Sequence, residues 1–154
     1  MAQILVPDPD AFAPLPEQRV GVFGEPGVFA RSAFSGLLGI ELVEQRVDWC
    51  RMRLPFRREL NQPAGVVHGG VLASLLDTVV VPAVGSAYDR MPVMLTLSMT
   101  IQYLGSAPGA DMVADGWVTK RGRSIVFSSA LVRTEEGEPL ASAELVYKVR
   151  EATS

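Results

Sequence analysis

Asn61-Gln62-Pro63-Ala64-Gly65-Val66-Val67-His68-Gly69-Gly70 runs directly into Val71-Leu72-Ala73-Ser74-Leu75-Leu76-Asp77-Thr78-Val79-Val80-Val81. The first part is a turn rich in glycine and polar groups; the second is an apolar segment carrying one carboxylate. Val71, Leu72, Leu75, Leu76, Val79 and Val80 recur at helical spacing, while Ala73, Val81 and Ala83 fill the remaining faces. A helix apolar nearly all round is enclosed by other elements. The spacing therefore predicts a central helix from Gly69 to about Ala87. The β-branched run Val79–Val81 also suits a strand, and Pro82 is expected to kink or end the helix nearby. An acid inside such a helix is costly to ionise unless something there uses it. Asp77 is for that reason the main functional signal.

Outward from this segment the chain reads as strands. Thr96, Ser98, Thr100 and Gln102 alternate with Leu97, Met99, Ile101 and Tyr103, a period of two. A Ser106-Ala107-Pro108-Gly109 turn leads to Met112–Lys120, and Arg121-Gly122-Arg123-Ser124 turns into Ile125–Arg133. Glu135-Glu136-Gly137-Glu138 then turns the chain into Leu140–Arg150. Consecutive strands with short turns predict an antiparallel meander. Upstream, Ile40–Leu54 suits a strand pair or one long bent strand. Arg31–Leu38 suits a short helix ended by Gly39, and Pro55–Gly65 reads as a loop. Five of the eleven prolines precede Arg31, so residues 1–30 read as an extended arm and residues 31–150 as the domain. One buried helix with a curved antiparallel sheet is an α+β fold.

Length and charge narrow the function. A chain of 154 residues with 48% hydrophobic content supports one compact domain. A formal net charge of -3 argues against general nucleic-acid binding. One cysteine, Cys50, and one histidine, His68, allow no internal disulfide and no Cys/His metal cluster. This suits a reducing, cytoplasmic location. The first residues lack a basic stretch followed by a long apolar one, so no secretory signal is expected. Asp77 and Pro82 argue against a membrane span over Gly69–Ala87.

The order Asn61, then Gly65-x-x-His68-Gly69-Gly70, then an Asp nine residues after the His, resembles the hotdog-fold acyl-CoA thioesterases, in particular their phenylacetate-degradation-type (PaaI-like) branch. Thr96 opening the next strand, the Gly122-Arg123-Ser124 turn and the acidic turn before the last strand also match. The likeness covers about Arg31 to Val149. It implies a long central helix wrapped by an antiparallel sheet and a homodimer whose sheets run together. Homotetramers built as dimers of dimers are common in the family. The active site would lie at the dimer interface, with the helix mouth of one subunit facing the acid of the other. Helix geometry independently favours that division. Gly69 and Asp77 are about 12 Å apart along a helix and well around its axis from each other, so one subunit cannot readily bring both to one carbonyl.

The resemblance assigns roles residue by residue. Asp77 would be nucleophile, or general base on water, at a thioester carbonyl; otherwise it is a capping or hydrogen-bonded core acid. Gly69 would offer its N–H at the positive end of the helix to the developing oxyanion, while Gly70 better suits a simple turn glycine. Asn61 would position water or the carbonyl. It stands one residue further from the His than the family pattern has it, which leaves Gln62 as an alternative. His68 would shape the helix mouth through hydrogen bonds. It sits on another face from Asp77, and a triad with Ser74 fails on the same ground. Thr96 would hold water or the carboxylate by its hydroxyl, although strand polarity alone also explains it. Arg121, Gly122, Arg123 and Ser124 would bind the phosphates of coenzyme A; the alternative is a solvated hairpin. Cys50 reads as a packed strand residue.

These readings converge on a thioester hydrolase acting on acyl-CoA, with no metal or redox cofactor beyond the coenzyme A of its substrate. The rivals are an acyl-CoA binding or sensing module on the same fold and a hotdog dehydratase. The only histidine occupies the thioesterase position, which counts against the dehydratase.

Overall fold

The computed structural model describes residues 6–24, 32–107 and 109–151. Three helices, α1 (Val20–Phe23), α2 (Ala33–Leu38) and α3 (Gly69–Gly85), accompany six strands: β1 (Glu41–Arg46), β2 (Trp49–Leu54), β3 (Val93–Tyr103), β4 (Met112–Arg121), β5 (Ile125–Thr134) and β6 (Pro139–Arg150). The strands form one antiparallel sheet in the order β1-β2-β4-β5-β6-β3. α3 lies against its inner face, with Leu72, Leu75, Leu76, Val79, Val80, Ala83 and Val84 all buried. The α+β fold with one enclosed helix is the expected one.

Local chemistry explains the boundaries. Ser32 caps α2, and Gly39 ends it in the left-handed conformation at φ 78°. Ile40–Leu54 is a strand pair, joined by a turn in which Asp48 takes φ 64°. Pro82 lies inside α3, and the helix ends three residues on, at Gly85. The Val79–Val81 run is helical because burial against the sheet overrides β-propensity. Residues 9–11 and 17–23 of the N-terminal arm form short helical turns. Phe12 stacks over Trp49, and Pro14 bridges to Arg46. Residues 25–31, which include the expected start of the α2 helix at Arg31, and Pro108 of the expected turn lie outside the described residues.

Two expectations for the strands need correction. β3 does not form a hairpin with β4. It crosses to the far edge and pairs with β6, so only β4, β5 and β6 form a meander. The alternation in β3 is also interrupted. Thr96 pairs with Tyr147 and Ser98 pairs with Val146, leaving Leu97 as a bulge. Met99, Ile101 and Tyr103 face α3 with Leu145, Ala143 and Ala141, while Ser98, Thr100 and Gln102 face outward. Across the bulge the phase inverts, and Thr96 points inward.

Candidate active site

Inversion at the bulge brings Thr96 to Asp77. Thr96 Oγ1 donates to Asp77 Oδ1 at 3.0 Å, and the Tyr147 hydroxyl donates to the same oxygen at 2.6 Å. The Tyr147 oxygen is also 3.0 Å from the Asp77 carbonyl. Bulges beside functional sites commonly re-aim a side chain in this way. Tyr147 is buried in the row β5–β6–β3 formed by Val126, Tyr147 and Thr96. Burial first, then the charge of Asp77 and the hydrogen bond to it, push the Tyr147 phenol far above its ordinary range. It therefore stays a proton donor through any physiological pH. Asp77 Oδ2 receives no bond from the described residues. The carboxylate borders a cavity of about 260 Å³ whose apolar wall is Phe23, Phe34, Val81 and Met91. Asp77 is only partly buried, at the edge of the helix stripe that the sheet leaves uncovered.

His68 is the N-cap of α3, its Nδ1 accepting from Gly70 N at 2.9 Å. That nitrogen is thereby an acceptor, and the ring is tied to the helix mouth. Gly69 follows, and its N–H finds no acceptor among the described residues. A Cβ at Gly69 would come within 3.2 Å of the Tyr103 ring, whose hydroxyl donates to Gly69 O at 3.2 Å. A side chain there would need the Tyr103 ring to give by a few tenths of an ångström, and the donor of Gly69 lies at the positive end of the helix. Asn61 sits opposite Val67 in an isolated bridge, and its Nδ2 donates to Gly65 O at 3.2 Å. Its Oδ1 is buried without a partner among the described residues. Gln62 Oε1 is taken by Ala64 N at 2.9 Å. Ser74 Oγ donates to Gly70 O at 2.7 Å, so it is bound back to its own helix.

The sheet turn divides. Arg121 faces inward: its Nη2 donates to Asp48 Oδ1 at 2.5 Å and to Val84 O at 3.0 Å, and its guanidinium lies over the Tyr88 ring. Nη2 carries both bonds, while Nε and Nη1 are buried without a partner among the described residues. Arg123 is exposed, and Ser124 Oγ accepts from Lys148 Nζ at 3.1 Å. Lys120, Arg123, Lys148 and Arg150 are exposed and form no ion pair among the described residues. Lys148 follows the inward-facing Tyr147 in β6 and so points to the outer face of the sheet.

The sequence reading therefore brought out Asp77, Thr96, His68, Gly69 and Asn61, and the fold groups them at two stations on α3. It missed Tyr147. The available signal was an inward-facing tyrosine between Leu145 and Val149, because a buried phenol needs a partner and Asp77 is the only acid in α3. No group of three or more metal-binding side chains is assembled among the described residues. No helix among them is long and apolar enough to cross a membrane.

A Thioesterase superfamily model matches residues 64–141, half of the chain, and the chain belongs to this family. Among its relatives, the medium/long-chain acyl-CoA thioesterase YigI of Escherichia coli is 25% identical over 148 residues, covering 86% of this chain and 95% of that protein. A thioesterase of Haemophilus influenzae superposes with a TM-score of 0.75 at 24% identity, over 82% of this chain and 88% of that one. The Escherichia coli PaaI protein from the phenylacetic acid degradation operon gives 0.75 at 17% identity, over 81% and 89%. These two likenesses are of fold, and they bear out the hotdog architecture; the family bears out a thioester hydrolase.

Proposed function

We propose that the protein hydrolyses acyl-CoA thioesters, and that it belongs to the PaaI-like branch of its family. The observation that carries this is Asp77, held at Oδ1 by Thr96 and Tyr147 and lining a cavity with a largely apolar wall. In this reading Asp77 attacks the thioester carbonyl carbon directly, or takes a proton from a water that does so. The carbonyl oxygen becomes an oxyanion, stabilised by the Gly69 N–H. Collapse breaks the C–S bond and releases the coenzyme A thiolate, which is protonated by solvent. In the direct route water then cleaves the acyl–Asp77 anhydride; both routes yield carboxylic acid and free thiol.

Gly69 and Asp77 stand about 12 Å apart along one helix, so the donor comes from a second copy of the chain. The eleven-residue edge strand β3 supports such pairing, because its outer edge pairs with no strand among the described residues and Val93, Leu95, Leu97 and Tyr103 are exposed. A long exposed edge of this kind is a template for another strand. Two such dimers would make the homotetramer. Asn61 Oδ1 orients the attacking water, and His68 fixes the helix mouth. Arg123, Ser124 and Lys148 take the coenzyme A phosphates, with Arg121 and Gly122 shaping the turn. Buried Cys50 suits a reducing, cytoplasmic compartment.

The test is thiol release from a panel of aliphatic and aromatic acyl-CoAs by wild type and Asp77→Asn. Turnover by wild type, lost by about a thousandfold or more in Asp77→Asn, is the expected result. Absence of turnover with acyl-CoA still bound by both proteins would replace the enzyme by a binding module.

A further inference from the structure

The cavity beside Asp77 has a shape that the hydrolysis itself does not explain. Its wall is contributed by four parts of the chain: Phe23 from α1, Phe34 from α2, Val81 from α3 and Met91 from the segment before β3. Its polar lining needs no ligand group. Ser35 Oγ donates to Ser32 Oγ at 3.2 Å, and Thr78 Oγ1 donates to Ser74 O at 2.6 Å. What remains for an occupant is apolar contact, with one open carboxylate oxygen at the rim.

Phe23 is fixed rather than loosely laid over this space. Only 2% of it is exposed. A Cβ on Gly85 would come within 2.0 Å of Phe23 Cζ, so the tip of the ring fills the place that any other residue at 85 would use. Arg19 ties the same segment to the end of α3, through Asp89 Oδ1 at 2.6 Å and Ser86 O at 3.0 Å. The N-terminal segment thus seats a ring on the last turn of the helix that carries Asp77.

We propose that this cavity holds the acyl group and that Phe23, seated on Gly85, closes it. The substrates are then apolar acyl groups of up to about ten carbons. The length follows from volume. A dry cavity of about 150 Å³ accepts benzene, about 25 Å³ per carbon, and about 260 Å³ is available here. The proposal rests on the reading of Asp77 as the group that reacts at the thioester, since the acyl chain must begin at that carbonyl. A larger cavity of about 410 Å³ lies between the N-terminal segment and β1, lined by Val20, Leu42 and Val43 among others. β1 is the sheet edge opposite β3, and that cavity shares no lining residue with the one beside Asp77.

The experiment is kcat/KM for straight-chain acyl-CoAs from two to sixteen carbons, measured on wild type, Val81→Phe, Phe23→Ala, Phe34→Ala and Val43→Ala. Wild type should gain about fourfold per methylene, reach its optimum at about eight to ten carbons, and decline beyond. Val81→Phe adds four carbons of side chain and should shorten the optimum by about that many. Phe23→Ala and Phe34→Ala should lengthen it; Phe34 is half exposed, so its variant folds even if loss of Phe23 does not. Val43→Ala should keep the wild-type profile. A wild-type rate that does not fall at sixteen carbons overturns the proposal. So does an unchanged optimum in Val81→Phe and Phe34→Ala, or a shifted one in Val43→Ala; in each case hydrolysis itself stands. No thiol release from any substrate would instead remove the hydrolase reading, and this one with it.

Discussion

Replacing Tyr147 by Phe removes one oxygen and tests whether the hold on Asp77 is part of the chemistry. The lost bond runs from a buried phenol to a carboxylate oxygen at 2.6 Å, and such charge-assisted bonds contribute about 1.5–3 kcal/mol. Two effects then oppose each other. Negative charge leaves Asp77 as the reaction proceeds, so a bond that stabilises the resting carboxylate slows the step. If about half of its strength persists in the transition state, removing it speeds catalysis by about 1 kcal/mol, or about fivefold. Against this, Asp77 would keep only the donor from Thr96, whose strand is a sheet edge. A misplacement of about 1 Å at the reacting group costs about a hundredfold. Orientation wins, and kcat should fall about twentyfold while KM changes by less than about threefold. Stability should fall by about 1–2 kcal/mol in urea unfolding. Thiol-release kinetics and unfolding on the same preparations separate the outcomes. An unaltered or raised kcat accompanying lost stability would refute the positioning argument and leave Tyr147 a structural residue. Thr96→Ala together with Tyr147→Phe should cost more than the two single effects combined, because each donor covers in part for the other.

Gly85→Ala should expel Phe23 and lower stability by about 2–3 kcal/mol. The double change with Phe23→Ala should be no worse than Gly85→Ala alone, which thermal melts will decide. His68→Ala should lose the helix cap at about 1 kcal/mol, and His68→Asn should restore most of it; equal melts for the two variants would count against the capping role. Arg123→Ala and Lys148→Ala should raise KM severalfold for a coenzyme A thioester at low salt but leave the matching pantetheine thioester unaffected. Alkali should destabilise the fold. Burial, with the charges of Asp115 and Glu44 behind it, pushes the Cys50 thiol well above its ordinary value, and Tyr147 is raised by burial and Asp77. The folded chain therefore keeps protons that the unfolded chain releases above about pH 9 and pH 10 respectively. Stability should be intact below pH 9 and then fall, by about 1.4 kcal/mol per pH unit for each group. In Cys50→Ala the fall should begin about one unit later.

What could be read from the sequence was what is local. The apolar run of α3, the short helix ended by Gly39 and the β4–β5–β6 meander each depend on residues close together in the chain. The placement of β3 does not. Nothing between Tyr103 and Met112 says whether the next strand turns back beside the last or crosses the sheet. That choice is made by which edge can bury Met99 and Ile101 against α3. The same limit applies to Arg121, which reads as a solvent-facing turn cation. It is drawn inward by Asp48, 73 residues away, and by the open carbonyl of Val84 near the end of α3.

Thr96 is the sharpest case. It stood out by its place at the start of a strand, yet strict alternation puts it on the outward face with Ser98, Thr100 and Gln102. One unpaired residue, Leu97, reverses this. The gain from the inversion is specific: it turns an otherwise solvent-facing hydroxyl to the one acid of an apolar helix and pairs its strand with Tyr147 in the same row. Leu97 itself is left exposed, together with Leu95. The bulge therefore does two things with one residue. It directs a donor inward to Asp77 and an apolar side chain outward near the edge at which a second copy would dock, so the geometry of the acid and the surface for pairing are set at the same point of β3.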